Sequence, residues 1–181
     1  PPDTRMTRDE YFAWAEQQPL GRFERVDGIV VAMAPERVGH GRRKARVWLA
    51  LESAVAANRL PCEVLPDGMT VSVGDSDFEP DAVLYCGDRL SADRKDVPEP
   101  VVIVEVLSPS TKHVDLTRKM AAYFDIPSVS HHLIFWADER RAVHHRRRPG
   151  ETGIDTRIVG DGTIELDPPG LVLSLDEIYA D

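Results

Sequence analysis

Hydrophobic and polar positions alternate along the chain with two different spacings, which predict helices and strands in a mixed order. Apolar residues recur at helical spacing after Thr7, within 40–58 and within 115–125. Thr7 and Glu10 have the sequence pattern of a capping box, which indicates a helix start. Short apolar runs bounded by Gly, Pro and Asp predict strands elsewhere. The expected fold is an α/β or α+β arrangement with a mixed sheet, and residues 1–181 are expected to form one domain.

Two hairpins are predicted from the residues at their turns. In RFERVDGIVVAMAP, Asp27-Gly28 predicts a tight primed turn. In the second hairpin, HHLIFWAD and RAVHHRR flank a turn at 138–141. Because adjacent histidines on a strand point to opposite faces, we interpret the run HHRRR, residues 144–148, as a solvent-exposed basic edge rather than a transition-metal site.

A carboxylate stands inside the most apolar run of the chain. VVIVEVLSPST, residues 101–111, predicts a strand buried on both faces with Glu105 in it. An ionised carboxylate buried without a partner is costly or takes up a proton. Asp81 begins another apolar strand, EPDAVLY, and adjacent strands would bring both carboxylates to one edge of the sheet. Mg²⁺ between them would compensate their charge. Alternatively, Pro-Asp only starts a strand, and Glu105 points outward to a Lys or Arg.

The helix predicted at 115–125 carries a polar face. Asp115, Lys119 and Tyr123 are spaced at i, i+4 and i+8, which places them on one side of the helix. If the helix packs back along the sheet, Lys119 reaches the carboxylates and can orient a water or contact a phosphate. The alternative is an Asp115–Lys119 surface pair, worth only a few tenths of a kcal/mol.

Several of these stretches together resemble one known family. EPDAVLY, VVIVEVLSPST, the D-x-x-x-K-x-x-x-Y helix and HHLIFWAD resemble the bacterial Uma2-like family of restriction-endonuclease-like proteins, which belongs to the PD-(D/E)XK nuclease superfamily. The resemblance extends upstream to Glu24 before a hairpin and to His40 at the start of the second helix. It covers residues 7–138 and implies a restriction-endonuclease-like core, with a central mixed sheet flanked by helices.

The resemblance also implies which residues form the site. Asp81 and Glu105 would be catalytic metal ligands, and the main-chain carbonyl of Val106 would be a further ligand. The superfamily has a lysine two residues after the glutamate, where this chain has Leu107. The chain is similar to a branch in which the lysine has moved to the following helix. Lys119 is therefore the expected catalytic lysine.

Other residues are expected to assist. Lys112, on the loop before that helix, is the alternative catalytic lysine. Auxiliary roles are expected for Glu24, His40, Asp115 and Tyr123. A basic cluster at the start of the second helix is unfavourable next to the helix dipole unless an anion compensates it. We expect this cluster to contact a nucleic-acid backbone, although Asp and Glu residues elsewhere are alternative partners; it consists of Arg42, Arg43 and Lys44.

The function implied by the resemblance is Mg²⁺-dependent hydrolysis of phosphodiester bonds, with Mn²⁺ as a possible substitute. The expected partner is nucleic acid, with DNA preferred over RNA, and a homodimer is expected because cutting both strands of a duplex needs two sites. One alternative is a catalytically inactive binding or oligomerisation module with the same fold. Another is a metal-dependent enzyme that acts on a small phosphate compound. Fold alone does not choose among them.

Composition and charge limit the expected partners and the cellular location but do not determine the function. The net charge of −9 argues against strong nonspecific nucleic-acid binding but leaves room for local basic patches. No apolar run approaches the roughly 20 residues that cross a bilayer, and the N-terminus lacks a signal-peptide pattern, so the expected location is cytoplasmic. Cys62 and Cys86 match no metal or redox motif and are expected to be reduced, buried thiols.

Overall fold

The computed structural model describes residues 1–107 and 116–180, and its helices follow the predicted order. The helices in this part of the chain are α1 (Arg8–Ala15), α2 (Val38–Asn58), α3 (Leu116–Asp125) and α4 (Leu175–Ile178). Thr7 caps α1, and both reciprocal hydrogen bonds of the capping box with Glu10 are present, which confirms that prediction. Among the described residues, no helix combines the length and apolar character of a bilayer span.

Strands make up the other regular elements of the described chain. They are β1 (Phe23–Val26), β2 (Ile29–Ala32), β3 (Cys62–Pro66), β4 (Val71–Val73), β5 (Ser76–Phe78), β6 (Ala82–Cys86), β7 (Pro100–Leu107), β8 (His131–Trp136), β9 (Ala142–Arg147), β10 (Ile154–Val159), β11 (Thr163–Leu166) and β12 (Leu171–Ser174). Asp27 and Gly28 join β1 to β2 with φ values of 49° and 79°. Positive φ at both central residues is what a type I′ turn requires, so the predicted hairpin is confirmed.

The central sheet is mixed, as predicted. Its strand order over the described residues is β10-β9-β8-β7-β6-β3, with β7 and β8 parallel and the other neighbours antiparallel. Strands β2, β1, β5 and β4 form a smaller antiparallel sheet, and β11 pairs with β12. α3 lies in the connection between the parallel strands β7 and β8, as a crossover requires.

Alternating residues of β7 face two different cores. Val102, Val104 and Val106 pack with α2, α4 and the β11–β12 pair. Ile103 packs on the other face of the sheet, with Tyr123 of α3. Burial of a Val or Ile side chain contributes about 1.5–3 kcal/mol, so a strand covered on both faces is strongly fixed. Glu105 stands in this fixed strand, and its position is set by the packing of its apolar neighbours.

The two cysteines form a disulfide, and the prediction of reduced thiols is wrong. Cys62 on β3 and Cys86 on β6 are direct partners in the antiparallel register. The pair closes a loop with a sequence separation of 24 and ties the edge strand β3 to the rest of the sheet.

The basic run at 144–148 does not lie at the edge of the sheet, and that interpretation is also wrong. β9 is hydrogen-bonded to β8 on one side and to β10 on the other. Arg147 instead donates to the main-chain carbonyls of Phe124, Ile126 and Val129, and so holds the C-terminal end of α3. This contact fixes the helix that carries Lys119.

Candidate active site

Asp81 and Glu105 lie at the same end of the central sheet because of the pairing of β6 with β7. The register aligns Ala82 with Val104, and the Asp81 N–H donates to the Val104 carbonyl at 2.9 Å. Asp81 immediately precedes β6, and Glu105 immediately follows Val104 on β7. Both side chains are buried, with 8% of Asp81 and 11% of Glu105 exposed. The predicted meeting of the two carboxylates at one edge is therefore present.

The carboxylate of Asp81 is held by two groups and has His40 as a third neighbour. Its Oδ2 accepts from the Val106 N–H at 2.6 Å, and the Lys44 ammonium lies 2.9 Å from its Oδ1. His40 Nε2 lies 3.8 Å from Oδ2. The same His40 nitrogen donates to the Val106 carbonyl at 2.6 Å. Because a carbonyl can only accept, this contact places a proton on Nε2 and positions the imidazole against the predicted carbonyl ligand.

Two residues of α3 hold Glu105. Its Oε1 accepts from the Tyr123 hydroxyl at 2.7 Å and from Lys119 Nζ at 3.1 Å. Burial raises the pKa of Glu105 to about 7; Lys119 opposes this rise, and the negative charges of Asp81 and Glu24 add to it. Glu105 is thus a carboxylate that changes charge near neutral pH, and a cation beside it favours the ionised form.

Glu24 of β1 completes this part of the site. Its Oε1 accepts from Lys119 Nζ at 2.7 Å and from the Glu79 N–H at 2.9 Å. Burial by itself lowers the pKa of the Lys119 ammonium, but the carboxylates of Glu105 and Glu24 outweigh it and raise that pKa. Lys119 is therefore a permanent cation between two carboxylates, which excludes the surface-pair alternative. Asp115 and Lys112 lie outside the described residues.

The predicted basic cluster divides between surface and interior. Arg42 is exposed, whereas the Arg43 guanidinium lies 4.0 Å from the centre of the Tyr179 ring and donates to the Ile178 carbonyl. Lys44 is buried and turned toward Asp81. A role of these three residues in nucleic-acid binding stays a prediction, but Lys44 already has carboxylate partners within the protein.

Two further carboxylates that the sequence did not single out lie beside Asp81. Among the described residues, oxygen atoms of Glu36, Asp67 and Asp81 lie within 4.8 Å of one another. They line a pocket of about 260 Å³, together with Lys44 and Trp48. Glu36 precedes α2, and Asp67 follows β3 in a Pro-Asp-Gly turn, whose sequence signals only a turn.

The donor atoms at this end of the sheet suit a hard divalent cation. The carboxylates of Asp81 and Glu105 and the carbonyl of Val106 are all oxygen donors, the class that Mg²⁺ and Mn²⁺ prefer. Carbonyl oxygen has two lone pairs, so the His40 hydrogen bond leaves one available at Val106. Lys44 and Lys119 supply the positive charge that compensates these carboxylates within the chain.

The mixed sheet flanked by helices has the restriction-endonuclease-like architecture that the sequence resemblance implied, with two carboxylates and a lysine at one end of the sheet. The chain belongs to the Uma2 family, described as "Putative restriction endonuclease", whose model matches residues 8–176. The resemblance predicted from the sequence motifs is thereby confirmed.

Two known proteins are similar over nearly the whole chain. The "Uncharacterized protein slr1290" of Synechocystis sp. (strain ATCC 27184 / PCC 6803 / Kazusa) is 27% identical over 190 residues, which cover 98% of this chain and 93% of that protein. The crystal structure of "a putative nuclease belonging to DUF820" from Anabaena variabilis ATCC 29413 matches with a TM-score of 0.76 and 16% identity, over 97% of this chain and 98% of that one. At this identity the second likeness shows the shared fold.

Proposed function

We propose that this protein is a divalent-cation-dependent nuclease that hydrolyses phosphodiester bonds, with DNA as the preferred substrate. One observation carries the proposal: a buried lysine ammonium on α3 bridges Glu105 and Glu24 at the end of the sheet where Asp81 also lies. Membership of the family described as "Putative restriction endonuclease" supports the same reaction class. Charged groups with perturbed pKa values cluster at functional sites, and three carboxylates and two lysines meet at this end of the sheet.

Asp81, Glu105 and the Val106 carbonyl would hold Mg²⁺ or Mn²⁺. When bound, such a cation polarises a phosphate and lowers the pKa of a water molecule. Lys119 would act as a hydrogen-bond donor and a fixed positive charge, since its raised pKa makes it a poor proton acceptor. It would orient the attacking water or neutralise the charge that develops on the phosphate.

Tyr123 and His40 would position these groups. The Tyr123 hydroxyl holds Oε1 of Glu105, and burial together with the Glu105 charge raises the pKa of Tyr123 well above its usual range. Tyr123 therefore stays a neutral donor. His40 fixes the direction of the Val106 carbonyl through its 2.6 Å hydrogen bond. Neither residue needs to exchange a proton during the reaction.

A cleavage assay tests the proposal. Supercoiled duplex DNA, single-stranded DNA and RNA would be incubated with wild type in Mg²⁺ or Mn²⁺, and with the variants Glu105→Gln and Lys119→Met. Each variant should lose at least about 100-fold in rate, as expected for loss of a charge that stabilises the transition state. Glu165→Gln and Lys95→Met are matched controls, because both side chains are exposed and lie outside the site. Equal cleavage by wild type and Glu105→Gln would contradict the assignment.

One observation favours a second candidate, a non-catalytic binding module. Each buried carboxylate of the site already has a lysine partner within the chain, so its charge is compensated without a metal. Such a module would bind nucleic acid without cleaving it, and Glu105→Gln would leave binding unchanged. Gel-shift measurements on the same substrates distinguish the two functions. A measured molar mass in solution tests the homodimer that duplex cleavage would require.

A further inference from the structure

Lys44 occupies a position that the proposed reaction does not explain. It lies on α2 with 7% of its surface exposed, and its Nζ is 2.9 Å from Asp81 Oδ1. The same ammonium contacts carboxylate oxygens of Glu36 and Asp67. Burial by itself lowers the pKa of Lys44, but these carboxylates outweigh it and raise that pKa, so the side chain carries a full charge.

The three carboxylates around Lys44 differ in exposure. The Asp81 side chain is 8% exposed, whereas those of Glu36 and Asp67 are 35% and 34% exposed. The two outer carboxylates are also held in place by Arg22, whose guanidinium contacts Asp67 at 2.7 Å and Glu36 at 3.2 Å. Lys44 therefore has one partner deep in the site and two partners on the solvent side of the pocket.

A divalent cation at Asp81 would meet the Lys44 ammonium at short range. Two positive ions a few ångströms apart repel each other strongly, and more so where burial lowers the effective dielectric constant. The repulsion decreases if the ammonium leaves Asp81 and keeps its contacts with Asp67 and Glu36. Lys119 contacts the other predicted ligand, Glu105, and would be repelled in the same way, but its second carboxylate partner, Glu24, is buried and lies within the site.

We propose that Lys44 is a built-in counter-ion of Asp81 that competes with the divalent cation, and that its ammonium leaves Asp81 but stays paired with Asp67 and Glu36 when the cation binds. The proposal rests on the proposed function, since it takes Asp81 to be a metal ligand. Lys44 thereby keeps the buried carboxylate compensated in the absence of metal and weakens cation binding. Lys44 is a regulating residue, distinct from Lys119, which is placed to act on the substrate.

Calorimetric titration of Mn²⁺ and Mg²⁺ tests this without any substrate. Lys44→Met should bind Mn²⁺ at least about 10-fold more tightly than wild type, because the competing charge is gone. Lys95→Met is the matched control, because it removes an exposed lysine and has the same net charge as Lys44→Met. It should bind Mn²⁺ as wild type does. Lys44→Gln keeps a hydrogen-bond donor without the charge and should also bind more tightly. It serves as the readable variant if Lys44→Met does not fold.

A double-mutant cycle tests the role of the carboxylates of Asp67 and Glu36. Asp67→Asn with Glu36→Gln should weaken Mn²⁺ binding in wild type, since the ammonium then has Asp81 as its remaining partner among these three carboxylates. The same two changes should have little effect in the Lys44→Met background. If the two changes abolish the tighter Mn²⁺ binding of Lys44→Met, the proposal is overturned, because that tighter binding would then come from a new site at Glu36 and Asp67.

The outcomes separate this inference from the proposed function. If wild type and Lys44→Met bind Mn²⁺ equally, and Asp81→Asn abolishes both, the metal site stands and the competition by Lys44 is refuted. Weaker binding by Lys44→Met also refutes it. If neither wild type nor any Lys44 variant binds Mn²⁺ or Mg²⁺, the metal-dependent function fails and this inference fails with it.

Discussion

Lys119 and Glu105 form a buried ion pair, with Nζ 3.1 Å from Oε1, between α3 and the central strand β7. This pair explains how a carboxylate is accommodated in a strand that is otherwise apolar. The lysine also contacts Glu24 on β1, so one ammonium joins the small sheet, the central sheet and α3. Lys119, the residue expected to act on the substrate, therefore also connects these three elements of the structure.

Lys119→Met should destabilise the protein by about 3–5 kcal/mol at pH 8, because it leaves buried carboxylates without their partner. The loss should be smaller at pH 5, where Glu105 takes up a proton and no longer needs a cation. Urea unfolding at both pH values measures this difference. Adding Glu105→Gln to Lys119→Met should recover part of the loss at pH 8. A pH-independent loss would mean that packing, rather than charge, dominates at this position.

His40→Ala should lower metal-dependent cleavage by about 10–100-fold, the usual effect of removing a group that orients a metal ligand. The cause is the loss of the 2.6 Å hydrogen bond to the Val106 carbonyl. His40→Gln retains an N–H donor and should recover part of the rate. His145→Ala is a suitable control, since that histidine lies on β9 and bonds to Thr156. Equal rates for His40→Ala and wild type would show that the carbonyl needs no support.

Local patterns predicted those parts of the fold that depend on short-range chemistry. The capping box at Thr7 and the Asp27-Gly28 turn follow from backbone preferences, and both are present. Asp81 and Glu105 meet because each is tied to an apolar strand whose register is fixed by packing. Motif order in the sequence indicated the family, which no single pattern could have done.

Tertiary distances determined the parts that the sequence did not predict. Lys44 was expected to contact a nucleic-acid backbone, with Asp and Glu residues as alternative partners, and the way α2 packs on the sheet turns it toward Asp81. Asp67 becomes its partner only because the turn after β3 lies across from the start of α2. Cys62 and Cys86 face each other through the β3–β6 register, which a sequence separation of 24 does not reveal.

The Cys62–Cys86 disulfide should stabilise the chain by about 3 kcal/mol, the value expected for a loop of this length from the entropy of the unfolded chain. Reduction should therefore lower the melting temperature of wild type. The double variant with Cys62→Ser and Cys86→Ser should melt at a lower temperature than oxidised wild type. A reducing agent should not lower the melting temperature of this variant further. Mass spectrometry after thiol alkylation establishes how many cysteines are free. Two alkylated thiols in the native, unreduced protein would contradict the bond.

Acid should destabilise the protein through histidines that are buried in their neutral form. Burial lowers the pKa of His131 to about 4, that of His132 to about 3 and that of His144 to about 4, all from an ordinary value of 6.5. The unfolded chain binds their protons below pH 6.5, whereas the folded chain does not bind them until about pH 4. Stability is therefore lost as pH falls through this window, by up to about 1.4 kcal/mol per pH unit for each histidine. Glu105 acts in the opposite direction, since its raised pKa makes the folded state bind a proton between pH 7 and 4.5.

His132→Leu isolates one of these contributions. Neither ring nitrogen of His132 has a hydrogen-bond partner within the described residues, and the ring packs 5.2 Å from that of Tyr123. An apolar side chain loses no hydrogen bond there, so stability at pH 7 should change little. Between pH 6.5 and 4, the free energy of unfolding should fall less steeply with decreasing pH in the variant than in wild type. The two slopes should differ by the amount that the uptake of about one proton on unfolding contributes. Urea unfolding across this range measures the slope.

His145→Gln should change the slope less, since that imidazole is only half-buried. If His132→Leu and wild type show equal slopes, His132 already carries its proton in the folded protein and must have a partner that compensates it.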